Sequence, residues 1–360
     1  MAYALTSAVA APFIGMLADR FGCRPIILLS LAAYVLAFSG YLSAASAWLL
    51  ILLRDIAGVF TAGLVPTVIS VVGDLAAEKR RAQWIGIVNG GASVEWIAGP
   101  LLGGLLYDLF GYVVPFAASI AMAVAALLLA VFLIPEMHRR SAHPGHPHPA
   151  WRLGFQGLRA LPTLYLLMLI SFAVMFAWAF IEPQFMFYAY DALSWTSSQP
   201  GLVMSTYGLA CMFGEFSLDQ LSDRVGRKVV LVLGLALFSA QFVGLVMFRD
   251  VTWIVVSFLL AGLGNALYDP ALSAHILDMS PPEQTARIMG VTATIGSLGN
   301  MLGPALGVLL TPFVSPQIVF LIAAALVIVL ALASEVALRP SQIPAVARYE
   351  SRAAVTRQGE

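Results

Sequence analysis

Asp19-Arg20-Phe21-Gly22 and Asp223-Arg224-Val225-Gly226 are two copies of one short polar loop, each set between long apolar stretches. The copies lie 204 residues apart, and the same shift aligns far more than the loop. Gly58 falls on Gly262, Pro66 on Pro270, Asp74 on Asp278 and Gly86 on Gly290. Gly99-Pro100 falls on Gly303-Pro304, and Gly103 on Gly307, without a gap. An echo of fixed period over this length predicts a fold built from two equivalent halves.

The composition says what those halves are immersed in. Hydrophobic residues make up 60% of the chain and charged residues only 11%, with a mean hydropathy of +0.90. A soluble domain carries about 25% charged residues, so the chain reads as an all-α polytopic membrane protein. The net charge of zero suggests no nucleic-acid partner. Cys23 and Cys211 read as independent thiols, Cys23 in a loop and Cys211 inside an apolar helix. No basic segment opens the chain, so no cleavable signal peptide is evident.

Eleven apolar stretches are long enough to cross, or nearly cross, a hydrocarbon layer of ~30 Å. They run over 1–18, 25–46, 49–73, 84–107, 112–134, 162–188, 199–221, 229–248, 252–277, 288–310 and 315–337. Continuous apolar runs of this kind span as helices, which satisfy their own backbone groups. Lys and Arg set the orientation. One side holds Arg20, Arg24, Lys79, Arg80, Arg81, Arg139, Arg140, Arg152, Arg159, Arg224, Arg227, Lys228 and Arg287, together with the tail; the other holds only Arg249. That bias places both Asp-Arg-x-Gly loops, the middle loop and the C-terminus in the cytoplasm of a plasma (inner) membrane protein.

The expected organisation is an N-terminal bundle of five helices over 1–134, a linker over 135–161, a C-terminal bundle of six helices over 162–338 and a tail over 339–360. Under the 204-residue shift, helix 162–188 maps before Met1. The first half therefore reads as lacking its first helix, through a misplaced start, a fragment or a degenerate relative. The linker carries His138, His143, His146 and His148 among prolines. No Cys or carboxylate completes a metal site there, so a solvated extended linker is expected, with no metal and no cofactor.

Gly15-Met16-Leu17-Ala18-Asp19-Arg20-Phe21-Gly22-Cys23-Arg24-Pro25 resembles the signature loop that follows the second helix of the major facilitator superfamily. Asp219-Gln220-Leu221-Ser222-Asp223-Arg224-Val225-Gly226-Arg227-Lys228 resembles its repeat after the eighth. Arg54-Asp55-Ile56-Ala57-Gly58 looks like the Arg-x-x-x-Gly motif of the fourth helix. The stretch Gly91 to Gly104, with Gly99-Pro100-Leu101-Leu102-Gly103-Gly104, looks like the fifth-helix motif of the drug:proton antiporter branch. The resemblance implies the major facilitator fold, two pseudo-symmetric bundles with eleven of the usual twelve helices. It also implies a conformational latch formed by Gly15, Asp19, Arg20, Gly22, Arg24, Asp223, Arg224, Gly226 and Arg227. Cys23 departs from the pattern, standing where a basic residue is usual.

Proline kinks a helix and small residues let helices approach closely, so Gly99, Pro100, Gly103 and Gly104 read as a packing motif. The positions where the halves disagree carry more chemistry. Arg54 aligns with Phe258, and Glu95 with Gly299. At 1.5 Å per residue, Arg54 lies ~9 Å and Glu95 ~13 Å from the outer face. An ionisable group at such depth is costly unless it is paired or lines a cavity. Glu95 and Arg54 are therefore the leading proton-coupling candidates, with a static buried pair as the alternative. Glu182 follows as an entrance or interfacial acid. Glu215, Asp219 and Asp269 rank lower, near the cytoplasmic ends of their helices. A pocket at the midplane between the halves is expected to draw on Asn89, Ser93, Trp96, Trp178, Gln184, Met204, Tyr207, Asn265 and Asn300. An aromatic cavity with few polar groups suits an amphipathic or cationic organic compound.

The expected function is proton-coupled efflux of small organic molecules by a monomer, with substrate, protons and lipid as partners. A metabolite symporter or facilitator of the same fold, or a truncated non-transporting protein, is the alternative. Neither a nucleotide loop nor a nucleophile with a base partner suggests an enzyme.

Overall fold

The computed structural model describes residues 6, 10, 13, 14, 16–18, 20–44, 46–76, 80–135, 162–218, 225–280 and 285–338. Regular structure among them is entirely helical. The helices with defined bounds are α1 (Cys23–Ser43), α2 (Ala47–Thr61), α3 (Leu64–Leu75), α4 (Arg81–Phe110) and α5 (Val113–Leu133), then α6 (Pro162–Phe187) and α7 (Ser198–Leu218). After these come α8 (Arg227–Phe238), α9 (Ala240–Met247), α10 (Val251–Met279), α11 (Thr285–Leu310) and α12 (Pro316–Ala337). Every expected stretch from 25–46 onward falls on one of them, except that 49–73 and 229–248 are each divided between two. The linker over 136–161, the tail over 339–360, Gly15, Asp19, Asp223 and Arg224 lie outside the described residues.

The helix ends follow from local chemistry. Gly22 at φ 91° and Gly226 at φ 100° turn the chain into α1 and α8 through the left-handed region, where a side chain is strained. The Ser46 hydroxyl accepts from the Leu49 N–H at 3.3 Å and the Asp250 carboxylate from the Thr252 N–H at 2.9 Å, capping α2 and α10. The stretch 49–73, expected as one helix, is interrupted at Ala62-Gly63, four residues before the Thr67 N–H that bonds the Gly63 carbonyl. A second interruption at Ser239 separates α8 from α9. Cys23, expected in a loop, is the first residue of α1 and buried against Ile27, Val71 and Ala130. It replaces a cation with a small apolar contact.

Among the described residues, eight segments are long and apolar enough to cross a membrane: Cys23–Ser43, Ala47–Val72, Val113–Leu133, Thr163–Ala192, Arg227–Met247, Val251–Met279, Ile288–Leu310 and Pro316–Ala337. α4 and α7 have the length, but glycines, hydroxyls and Glu95 or Glu215 dilute their apolar character. Phe132 and Leu133 on α5 and Val336 on α12 project outward, which suits hydrocarbon surroundings and not water.

The chain divides into two compact units. Unit 1 comprises Met1–Arg152 with Thr196–Gly201, and unit 2 comprises Leu153–Trp195 with Leu202–Glu360. In unit 1, α1 packs on α5, α2 and α3, and α4 packs on α3 and α5. Its apolar clusters are small: Ala10, Ile14, Ala18 and Ile26, and then Cys23, Ile27, Val71 and Ala130. In unit 2, α6 packs on α11 and α12, α8 on α10 and α12, and α9 on α10 and α12. One continuous core there contains Phe185, Phe238, Phe242, Phe258, Tyr268 and Phe320, all essentially buried. Transmembrane helices associate by close packing, since lipid tails are as apolar as their side chains.

Candidate functional site: membrane-embedded polar groups and helix-end latches

The two signature loops differ in what they hold. In unit 1, Arg20 stacks its guanidinium 5.3 Å from the Phe21 ring, and Arg24 donates to the Val131 carbonyl on α5 at 2.9 Å. In unit 2, Arg227 donates to the Ala274 carbonyl at 2.7 Å and forms an ion pair with Asp278, both on α10. Lys228 pairs with Glu335 on α12 at 3.0 Å. One pair of adjacent basic residues thus fastens α8 to two neighbours at one end of the unit.

The glycine motif is used differently in the two halves. On α11, an ideal Cβ added to Gly303 would lie 2.7 Å from Phe180 N, 2.8 Å from Phe176 O and 2.9 Å from Ala179 Cβ. One at Gly307 would lie 2.5 Å from Phe180 O. Here α11 and α6 touch backbone to backbone. On α4, the equivalent Gly99 and Gly103 have open space at the same position, and Glu95 and Trp96 are exposed beside them. Only Gly104 of that motif meets a neighbour. An added Cβ would fall on Ser197 and Ser198, and one at Gly201 would fall on the Pro100 backbone. The start of α7 is therefore seated on α4 without an intervening side chain.

Asp108 secures that seat, and the sequence reading missed it. Its carboxylate accepts from the Ser197 N–H at 2.9 Å and from the Ser198 N–H at 2.7 Å, the free donors at the start of α7. The Ser198 hydroxyl bond is the largest influence on the group. It outweighs the desolvation that acts the other way, and with the Ser198 and Ser197 N–H bonds holds the Asp108 carboxyl below its ordinary range. Its only sequence signal was an acid placed just past an apolar run.

The remaining candidates separate. Trp178 on α6 stacks on Tyr207 of α7 at 4.8 Å between ring centres. Cys211 lies beside Tyr207 and beside Asn265 of α10. Those four residues form one group, crossing where Gly262 lets α10 reach the backbone of α7. Gln184 is completely buried and acts between helices, its amide donating to the Gly307 carbonyl at 2.8 Å and to the Thr311 hydroxyl at 2.5 Å. Arg54, Ser93, Glu182 and Asn300 are exposed on α2, α4, α6 and α11; the Asn89 side chain lies outside the described residues. Both cysteines are free.

With the geometry in place, the comparisons fall in line. The model of the Major Facilitator Superfamily matches the chain twice, over residues 1–191 and 167–357. The chain belongs to the major facilitator superfamily. This is a family of transporters, and the chain is no enzyme. Among relatives, the class G tetracycline resistance protein of Vibrio anguillarum is 29% identical over 306 residues, covering 84% of this chain and 77% of that protein. Multidrug resistance protein 2 of Bacillus subtilis is 27% identical over 315 residues, covering 85% and 77%. The crystal structure of the human organic anion transporter MFSD10 superposes with a TM-score of 0.62 at 20% identity, covering 92% of this chain and 82% of that one, which shows a shared fold.

Proposed function

We propose that this major facilitator protein is a proton-coupled antiporter that expels small organic compounds, tetracycline-like molecules among them, from the cell. The named relatives are tetracycline and multidrug resistance proteins, and they support the substrate class. The proton step rests on one observation. On α4, Glu95 stands where the repeat has Gly299, the residue through which α11 meets the α6 backbone. A carboxylate at a position that the other half uses for bare packing serves chemistry in place of shape. Exchange of its proton with whichever side is open couples the proton gradient to the substrate, and Arg54 biases its charge state. The two halves rock about a central site, with the Gly22 and Gly226 ends, the linker and the tail in the cytoplasm, and a monomer suffices.

Everted membrane vesicles carrying a pH-sensitive dye test this. Tetracycline added to energised vesicles should collapse part of the interior acidity. Glu95→Gln should remove that proton movement while leaving the amount of folded protein unchanged, and unchanged coupling in that variant would reject the assignment.

A further inference from the structure

Three of the four positions that form an apolar cluster in unit 1 carry polar side chains in unit 2. In unit 1, Cys23, Ile27, Val71 and Ala130 pack together as a closed apolar cluster. The 204-residue shift carries them onto Arg227, Leu231, His275 and Ser334. The fold therefore needs neither a cation nor an imidazole to fill this place, because cysteine and valine fill it in the other half. What the substitutions add is charge. Arg227 bridges from α8 to Ala274 and Asp278 of α10, and Lys228 bridges to Glu335 of α12.

His275 lies next to Ala274 and three residues before Asp278, so it shares a helical face with the acid. It is only 7% exposed, and its Nδ1 is buried without a hydrogen-bond partner. A buried polar atom with no partner costs free energy that valine at this position would not. We propose that His275 is a proton-binding site that works the tie between Arg227 and Asp278, and so the grip of α8 on α10.

The chemistry is a competition. The charged groups that act on the imidazole among the described residues are Asp278 on its own helix and Arg227 on α8; Lys228, the next residue along α8, is paired with Glu335 on α12. A neutral imidazole leaves the Asp278 carboxylate to Arg227. A proton taken from water at this end of the unit turns both ring nitrogens into donors and sets a second cation beside Arg227. The neighbouring Ala274 carbonyl and the Asp278 carboxylate are already engaged by Arg227. The imidazolium draws on that carboxylate, the α8–α10 tie loosens, and release of the proton to water restores it. Acid on this side, which we assign to the cytoplasm, thus favours the unfastened state.

The site rests on the transporter reading for its effect on flux, but not for its effect on stability. The test therefore has two arms on the full chain. In detergent, thermal unfolding is followed at pH 7.5 and 5.5 for the wild type, His275→Val (the residue unit 1 uses) and His275→Gln, which keeps a polar side chain that does not titrate. The wild type should lose melting temperature on acidification by clearly more than either variant. In vesicles, the wild-type transport rate should respond several-fold more strongly than either variant to the same interval on the cytoplasmic side, the variants keeping only the pH dependence of the proton step. If His275→Val folds poorly, His275→Gln carries the comparison. An equal pH step in wild type and His275→Gln overturns the proposal. A wild type that does not transport but shows the histidine-dependent melting step leaves the site standing and removes the antiport reading.

Discussion

Gly303 and Gly99 occupy the same place in the two halves, yet the same substitution should act on them in opposite directions. At Gly303→Ala the new methyl meets Phe180 N, Phe176 O and Ala179 Cβ at 2.7, 2.8 and 2.9 Å. Ordinary contact begins near 3.4 Å, so α11 has to withdraw from α6 by roughly 0.6 Å along its closest line of approach. Overpacking of this kind costs about 1–3 kcal/mol. Exchanging glycine for alanine in a helix returns at most ~1 kcal/mol. The net expected effect is a loss of about 0–2 kcal/mol in unit 2. At Gly99→Ala the methyl meets nothing within 4 Å, so only the helix gain of up to ~1 kcal/mol remains. The two variants should differ by about 1–3 kcal/mol, worth several degrees of melting temperature for a unit of this size. Thermal unfolding in one detergent at one pH, read with both single variants and the double, measures the difference. Equal shifts, or a Gly99→Ala that destabilises more, would refute the claim that Gly303 packs against a backbone where Gly99 does not.

Three further outcomes follow from the same geometry. Gln184→Leu removes two hydrogen bonds to α11 and should lower unfolding stability by about 1–3 kcal/mol. Tetracycline binding, read by fluorescence quenching, should be retained, since the amide nitrogen is engaged by Gly307 and Thr311. Asp108 sits below its ordinary range, so its hold on α7 is complete above about pH 4 and is lost as pH falls through its lowered pKa. Exchange of the Ser197 and Ser198 amides, compared with their intrinsic rates, should show protection near neutrality that fades only in strong acid; Asp108→Asn should lose much of it at every pH. Arg54→Gln should shift the pH dependence of transport while Arg54→Lys retains most of it, and identical pH profiles for both would remove Arg54 from the proton step.

Much of the fold was legible because it is written at a fixed period. The 204-residue shift, the apolar runs and the glycines at 22 and 226 together announced two helical halves with sharply turned ends. The interruptions at Gly63 and Ser239 were not, because each sits in an apolar run whose composition does not change across it. The glycine motif was legible as packing but not as asymmetric packing. Whether Gly99 or Gly303 faces a backbone depends on which helix arrives, and no local signal encodes that. Gln184 read as a candidate pocket residue; the partners of its amide nitrogen lie more than 120 residues downstream. Asp108 was invisible for the same reason, since its donors belong to the start of α7. His275 emerged only when Val71, its counterpart under the repeat, was found inside an apolar cluster.

The central claim is proton-coupled antiport, and imposed-gradient flux tests it most directly. The purified chain is reconstituted in liposomes with an acidic interior and a more alkaline exterior, and labelled tetracycline is supplied outside. The account predicts that tetracycline accumulates inside as protons leave. It predicts that the accumulation disappears when a protonophore abolishes the gradient, and that Glu95→Gln, although inserted and folded, does not accumulate the compound. Accumulation that persists without the gradient, or that proceeds unchanged in Glu95→Gln, would contradict it.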